Sequence, residues 1–198
     1  LHPDLGAIID GVKRLRDRFF PIAKVAILSN SSTVTRKEVR EALRLLDVRV
    51  MKLDAGSEAL IRHINAPARP YHLEEIVSGL RQLRDLTLQS MFVQGRVTNT
   101  DPHAVSCWIK RVKEIDPILV QIYSLDRAAP DRRIRKVNPI TLHWIASQVR
   151  LRAGVAVVNS PLVHLGGLFR VLQCVSDGRS FALLERFSVD AWVDAVRR

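Results

Sequence analysis

The feature that most narrows the possible folds is a serial alternation. A short apolar run is followed by a stretch of helical period, and the pair recurs four times. The runs are KVAILSN (24–30), VRVMKLD (48–54), LTLQSMFVQG (86–95) and ILVQIYS (118–124), with a last short one, GVAVV, at 154–158. Helices are expected over 35–46, 57–64, 72–85, 101–113 and 139–151, and an opening helix over 3–19 carries Leu5, Ile8, Ile9, Val12 and Leu15 at amphipathic spacing. Strands separated in this way by helices pair in parallel through right-handed crossovers. The runs are apolar nearly throughout, which predicts a sheet covered on both faces. Thr35 and Glu38 have capping-box spacing, while Asp101-Pro102 and Asn138-Pro139 read as helix starts. No glycine-rich phosphate loop follows any run, so a (β/α) barrel, or part of one, fits better than an open nucleotide-binding sheet.

The 198 residues suffice for one full domain. NSPLVHLGG (159–167) marks a boundary between residues 1–158 and a small appendage, 159–198. The appendage reads as a hairpin around Ser176-Asp177-Gly178 followed by a helix capped by Ser188. Only two cysteines occur, Cys107 and Cys174, which excludes a disulfide framework and a cysteine-rich metal site. His103 and Cys107 stand at i and i+4, but with no second pair they read as packing or as a solvated face. No run is long enough to span a membrane, so a soluble, cytoplasmic protein is expected. The formal charge of +11 comes mostly from arginines scattered over many helix faces; the run DRAAPDRRIRK (126–136) holds four Arg and one Lys in one loop.

In parallel barrels the chemistry gathers where the strands end, because the loops there converge on one mouth. Those ends hold Ser29 and Asn30, Lys52 and Asp54, Gln94, and Gln121, Tyr123 and Ser124. Lys52 and Asp54 share parity and leave the same face of their strand. A buried charged pair there either contacts a ligand or closes the barrel top as a structural ion pair.

These residues also carry a resemblance. The ordered motifs ILSNSS, VREALRLLDVRVMKLDAGSEALIRHINAP, LEEIVSGLRQL, LQSMFVQGRVTNT and DPILVQIYSLDRAAP, covering about residues 1–158, resemble the radical S-adenosylmethionine (radical SAM) family. The nearest branch is similar to the wyosine-type tRNA-modifying iron–sulfur oxidoreductases. The resemblance implies a partial (β/α) barrel with a [4Fe–4S] cluster and SAM at its mouth. In such enzymes an electron from the cluster cleaves the sulfonium, and the resulting 5′-deoxyadenosyl radical abstracts hydrogen from substrate. Carried onto this chain, it implies SAM contacts at Ser29, Asn30, Lys52 and Asp54, adenine beside Gln94, and substrate facing Gln121, Tyr123 and Arg127. It further implies an electron donor such as flavodoxin or ferredoxin, and a tRNA base as substrate. The family's Cys-x3-Cys-x2-Cys motif is absent, and LHPDL at the chain start resembles a segment that in the family follows the Gly-Glu ending the second strand, so the first two β/α units are expected to be missing. A fragment with about four of six units is therefore expected, inactive alone.

Two other readings stand beside this one. Lys52 could serve as a Schiff-base or general-base lysine in a cluster-free barrel, provided burial lowers its pKa. Alternatively, the chain could be a non-catalytic basic module that binds RNA through the 126–136 loop.

Overall fold

A computed structural model describes residues 4–125, 129 and 131–158. The elements run α1 (Leu5–Phe19), β1 (Ala26–Ser29), α2 (Lys37–Arg44), β2 (Val48–Lys52), α3 (Glu58–Asn65), α4 (Leu73–Arg81) and β3 (Leu86–Gly95). They continue with α5 (Pro102–Ile115), β4 (Leu119–Ser124), β5 (Ile134–Lys136), α6 (Pro139–Ala153) and β6 (Val157–Val158). The sheet order is β1-β2-β3-β4-β6, parallel throughout, and β5 pairs antiparallel with the far end of β3. The expected alternation is therefore present. The short β5 was not foreseen, because its sequence, Ile-Arg-Lys, has no apolar period.

Local chemistry sets the helix starts. Ser57 accepts from the Leu60 N–H at 3.4 Å, Asp101 from Ala104 at 2.9 Å and Asn138 from Ile140 at 2.8 Å, each satisfying a donor the helix cannot use. The expected Thr35–Glu38 capping box does not form. A turn from Arg36 N–H to the Thr33 carbonyl moves the start of α2 on, so Arg36 is its N-cap and Glu38 pairs with Arg36 instead. Helix α1 buries only Leu5 and Ile9, leaving Ile8, Val12 and Leu15 exposed.

The strands are covered on one side. Met51, Leu53, Leu86, Leu88, Phe92, Val120, Ile122 and Val157 share one parity through the register and form the core with the helices. The opposite parity brings Leu28, Val50, Lys52, Thr87, Gln89, Leu119, Gln121, Tyr123 and Val158 onto a second face. There Thr87 and Gln89 at the centre are buried, whereas Leu28 is 62% exposed at the edge. The expectation of two covered faces is thus corrected: β4 alternates strictly between buried and half-buried residues. The appendage and the boundary at 159 lie outside the described residues.

The loop after β2 is pressed onto α5. A Cβ on Gly56 would lie 2.2 Å from the Cys107 carbonyl carbon and the Trp108 nitrogen, both backbone atoms of that helix. Only a residue without a side chain permits this approach. Gly56→Ala is expected to destabilise the protein by about 1–3 kcal/mol, the range of overpacking, in urea unfolding. A change below about 0.5 kcal/mol, within the range of surface substitutions, would mean that the loop moves away freely.

Candidate functional site

Strand β2 ends at Lys52, and the next two residues keep its chain tied to β3 by other means. The Leu53 N–H donates to the Gln89 carbonyl at 3.0 Å. The Leu53 carbonyl then accepts from Ser90 Oγ at 2.5 Å and from Trp108 Nε1 at 3.1 Å, which pins the strand end to α5. At Asp54 the side chain takes over the ladder: Oδ1 accepts from the Met91 N–H at 2.8 Å. Asn99 locks the arrangement, donating through Nδ2 to the Asp54 carbonyl at 2.7 Å and the Met91 carbonyl at 2.8 Å, while its Oδ1 accepts from the Val93 N–H at 2.8 Å.

The other carboxylate oxygen has a different environment. Asp54 is 1% exposed, and its Oδ2 lies 3.3 Å from Lys52 Nζ, an ion pair that falls short of hydrogen-bond geometry. A fully buried carboxylate oxygen is thus left without a hydrogen-bond donor, an expensive arrangement. The Lys52 side chain is 26% exposed, and its ammonium lies 5.9 Å from the centroid of the Tyr123 ring. Burial lowers the lysine pKa, but the Asp54 charge, with Tyr123, outweighs it and holds the ammonium above its ordinary range. Beside this group Gln89 Nε2 donates to Gln121 Oε1 at 3.1 Å. The result is a cluster on the second face of the sheet, at the strands' C-terminal ends: a cation held by a buried anion, two linked carboxamides and a phenol ring.

The structure brings Lys52, Asp54, Gln121 and Tyr123 together, and adds Gln89, which the sequence reading missed. Its signal was parity: the register aligns Gln89 with Lys52 and Gln121. Asn30 follows β1, and its Oδ1 accepts from both the Ser32 N–H and the Ser32 hydroxyl, forming a turn. Ser29 has the parity of the core face; it is buried and accepts from the Ser31 N–H at 3.1 Å. Gln94 also has the core-side parity and donates to Thr100 Oγ1 at 3.4 Å. Arg127 lies outside the described residues.

At the same end of the sheet, β5 and the end of β3 form a short basic ribbon. Two arginines converge on Asp131: Arg133 Nε at 2.9 Å and Arg96 Nη1 at 3.2 Å. Hydrogen bonds from the Arg133 side chain and backbone, with help from Arg96, hold the Asp131 carboxyl well below the usual carboxylate range. Among the described residues, Arg132, Arg135 and Lys136 have no acidic partner.

A [4Fe–4S] cluster held by three thiolates does not fit this chain. There are two cysteines; Cys107 lies on α5, half-buried beside His103, and Cys174 is outside the described residues. Among the described residues, no group of three His, Cys, Asp or Glu side chains is placed to hold a metal ion. Nor is any helix among them long and apolar enough to cross a membrane.

No family model matches the sequence. Over 138 residues it is 27% identical to a UPF0026 protein of Synechocystis sp., covering 67% of this chain and 49% of that protein. A UPF0026 protein of Methanocaldococcus jannaschii is 29% identical over 135 residues, covering 66% of this chain and 41% of that one. A protein named GTPase Obg from Brachyspira hyodysenteriae is 24% identical over 141 residues, 70% of this chain and 20% of that one. The chain therefore spans about half, or less, of the length of the curated relatives it matches.

Solved structures are similar in fold. A domain of pyruvate-formate lyase-activating enzyme from Bacteroides vulgatus superposes with a TM-score of 0.60 at 12% identity, over 80% of this chain and 92% of that one. SuiB of Streptococcus suis, solved bound to S-adenosylmethionine, has a TM-score of 0.58 at 9% identity, over 80% of this chain and 36% of that one. A radical SAM methyltransferase from Sphaerobacter thermophilus has a TM-score of 0.55 at 16% identity, over 67% of this chain and 39% of that one. The fold is that of a radical SAM (β/α) barrel, as the resemblance implied, and at these identities the likeness is one of fold alone.

Two consequences can be measured. Asn99→Ala removes three hydrogen bonds, two of them fully buried, and strips their backbone partners of this contact, so a loss of about 2–4 kcal/mol is expected in urea unfolding; a loss below about 1 kcal/mol would show that the clasp is dispensable. The Lys52 pKa is raised on folding, so the stability it contributes is complete below the unfolded value near ~10.4 and is lost as pH rises through the higher folded value. Tyr71, pushed up by burial and by the charges of Asp54 and Glu58, adds a loss of the same sign. The wild type should therefore lose more stability than Lys52→Met across that alkaline range, and parallel curves would contradict the assignment.

Proposed function

We propose that this chain is a radical SAM barrel segment whose second sheet face binds S-adenosylmethionine. The single observation that carries this reading is the cluster at the strand ends: Lys52 held against the donor-less, buried Asp54 oxygen, over Tyr123 and beside the Gln89–Gln121 pair. A charged pair placed where loops converge, and incompletely satisfied from within, is suited to complete itself with a ligand.

The residues fit SAM. Lys52, kept protonated by Asp54, matches the methionyl carboxylate, and the carboxamides of Gln89 and Gln121 can accept from ribose hydroxyls and donate to adenine nitrogens, whereas Asn30, its oxygen taken by Ser32, lines a separate cavity. Asp54 acts through Lys52, fixing its charge and position. Ser29 and Gln94 act from the core side by shaping the loops that border the ligand, Gln121 and Tyr123 face the substrate, and for Arg127, outside the described residues, the substrate role rests on the sequence resemblance alone. SAM would bring a sulfonium to this face; its reductive cleavage needs an electron from a cluster that this chain's residues do not hold, so no such step is assigned to them. This chain's own residues bind it, orient it and exclude water around it.

The finer assignment, to the branch of the wyosine-type tRNA-modifying oxidoreductases, rests on the ordered motifs in the sequence. Under it the substrate is a tRNA base, the reductant a flavodoxin or ferredoxin, and the location the cytoplasm. The basic ribbon supports a polyanionic substrate, because Arg132, Arg135 and Lys136 lie at the sheet end where substrate would enter. The Schiff-base alternative is disfavoured: it needs a lysine of lowered pKa, and Asp54 raises this one.

Isothermal titration of the chain with SAM and with S-adenosylhomocysteine tests the reading. Saturable binding is expected, weakened about tenfold or more by Lys52→Met and by Gln121→Leu, as for the loss of a charge-assisted contact or of a buried amide. Absence of saturable binding, or equal affinity in both variants, would refute it.

A further inference from the structure

A cavity of about 580 Å³ lies between the loop after β1 and the connection from α3 to α4. None of Lys52, Asp54, Gln89, Gln121 and Tyr123 lines it. Its volume falls within the range of small-molecule sites, about 300–1,000 Å³. Tyr71 and Ile76, both buried, supply an apolar surface. The hydroxyls of Thr33 and Thr35 come from the β1 loop, and Arg69 and Glu75 come from the α3–α4 connection and the first turn of α4.

The walls are held in place. Helix α4 lies so close to the β1 loop that a Cβ on Gly79 would be 2.7 Å from the Val34 carbonyl oxygen. Each wall also holds a non-glycine residue in left-handed backbone, Ser31 at φ 65° and Ala66 at φ 40°, a conformation kept only where the surroundings impose it. With the backbone of the walls fixed, the ordering cost of binding falls on the exposed side chains of Thr35, Arg69 and Glu75.

Its chemistry is selective. Arg69 has no hydrogen-bond or ion-pair partner among the described residues, whereas Arg36, also in the lining, is paired with Glu38. One free guanidinium recognises one phosphate or carboxylate group, bidentately. Threonine hydroxyls and a carboxylate serve the hydroxyls of a sugar, which both donate and accept. Glu75 opposes a second dense negative charge, so a polyanion is disfavoured.

We propose that this cleft is a binding site for a small phosphorylated sugar, free or as part of a nucleoside monophosphate, distinct from the Lys52 face. The inference does not depend on SAM binding at that face, and its test separates the two. Ribose 5-phosphate, AMP, ribose and inorganic phosphate are titrated into the full chain, and binding is read by amide chemical shifts. One or both phosphorylated sugars should bind saturably, about tenfold or more tighter than ribose or phosphate alone, with the shifts at Thr33, Thr35 and Arg69. Tighter binding of AMP would assign the apolar surface to a base, and equal binding would assign the site to the sugar phosphate alone. Arg69→Ala should weaken binding at least about tenfold, with Arg69→Gln giving the same answer should the alanine variant lose its fold, and Lys52→Met should leave it unchanged. No saturable binding up to about 10 mM, indifference to both Arg69 variants, or loss of binding in Lys52→Met would overturn the proposal.

Discussion

The hydrogen bond from the Met91 N–H to the Asp54 carboxylate is the contact on which the rest of the site depends. At that point β2 has left the sheet, and β3 runs on with a backbone donor that its neighbour's main chain no longer meets. A buried carboxylate is costly to place, and this one is tolerable because it closes the ladder and keeps Lys52 at its other oxygen. Ser90, Asn99 and Trp108 bind the neighbouring backbone oxygens, so the end of β2, the middle of β3 and α5 hold one another. Rigidity at this corner is what allows a flexible lysine to present its charge in one direction.

A sheet covered on one side explains where that charge goes. The helices take the side chains of one parity, and the other parity is left to line the concavity of a partial barrel. Lys52, Gln89 and Gln121 are neighbours across three strands because parallel register sets them level, not because they are close in sequence. The half-buried apolar residues around them, Val50 and Leu119, provide a surface that strengthens electrostatic contacts by excluding water.

Much of the architecture was legible. The apolar runs located β1 to β4, and the Asp101-Pro102 and Asn138-Pro139 pairs placed two helix starts to the residue. The faces were not legible, because Val48, Val50, Leu119 and Val158 are as apolar as the core residues between them; a run without alternation looks the same whether its second face meets helices or lines a cavity. Lys52 and Asp54 could be found from parity at a strand end. Gln89 needed the register between strands, which no single run contains. Asn99 is a loop residue whose role exists only once β2 and β3 are side by side. Thr35 failed as a cap because a turn ahead of the helix claimed the next residue first.

The most direct test is a crystal structure of the chain soaked with S-adenosylhomocysteine. Density seated on the second sheet face, with the homocysteine carboxylate at Lys52 and the nucleoside beside Gln89 and Gln121, is the predicted result. Ligand bound elsewhere, or an empty face at saturating ligand with the Lys52–Asp54 pair unchanged, would show that the pair only closes the top of the sheet.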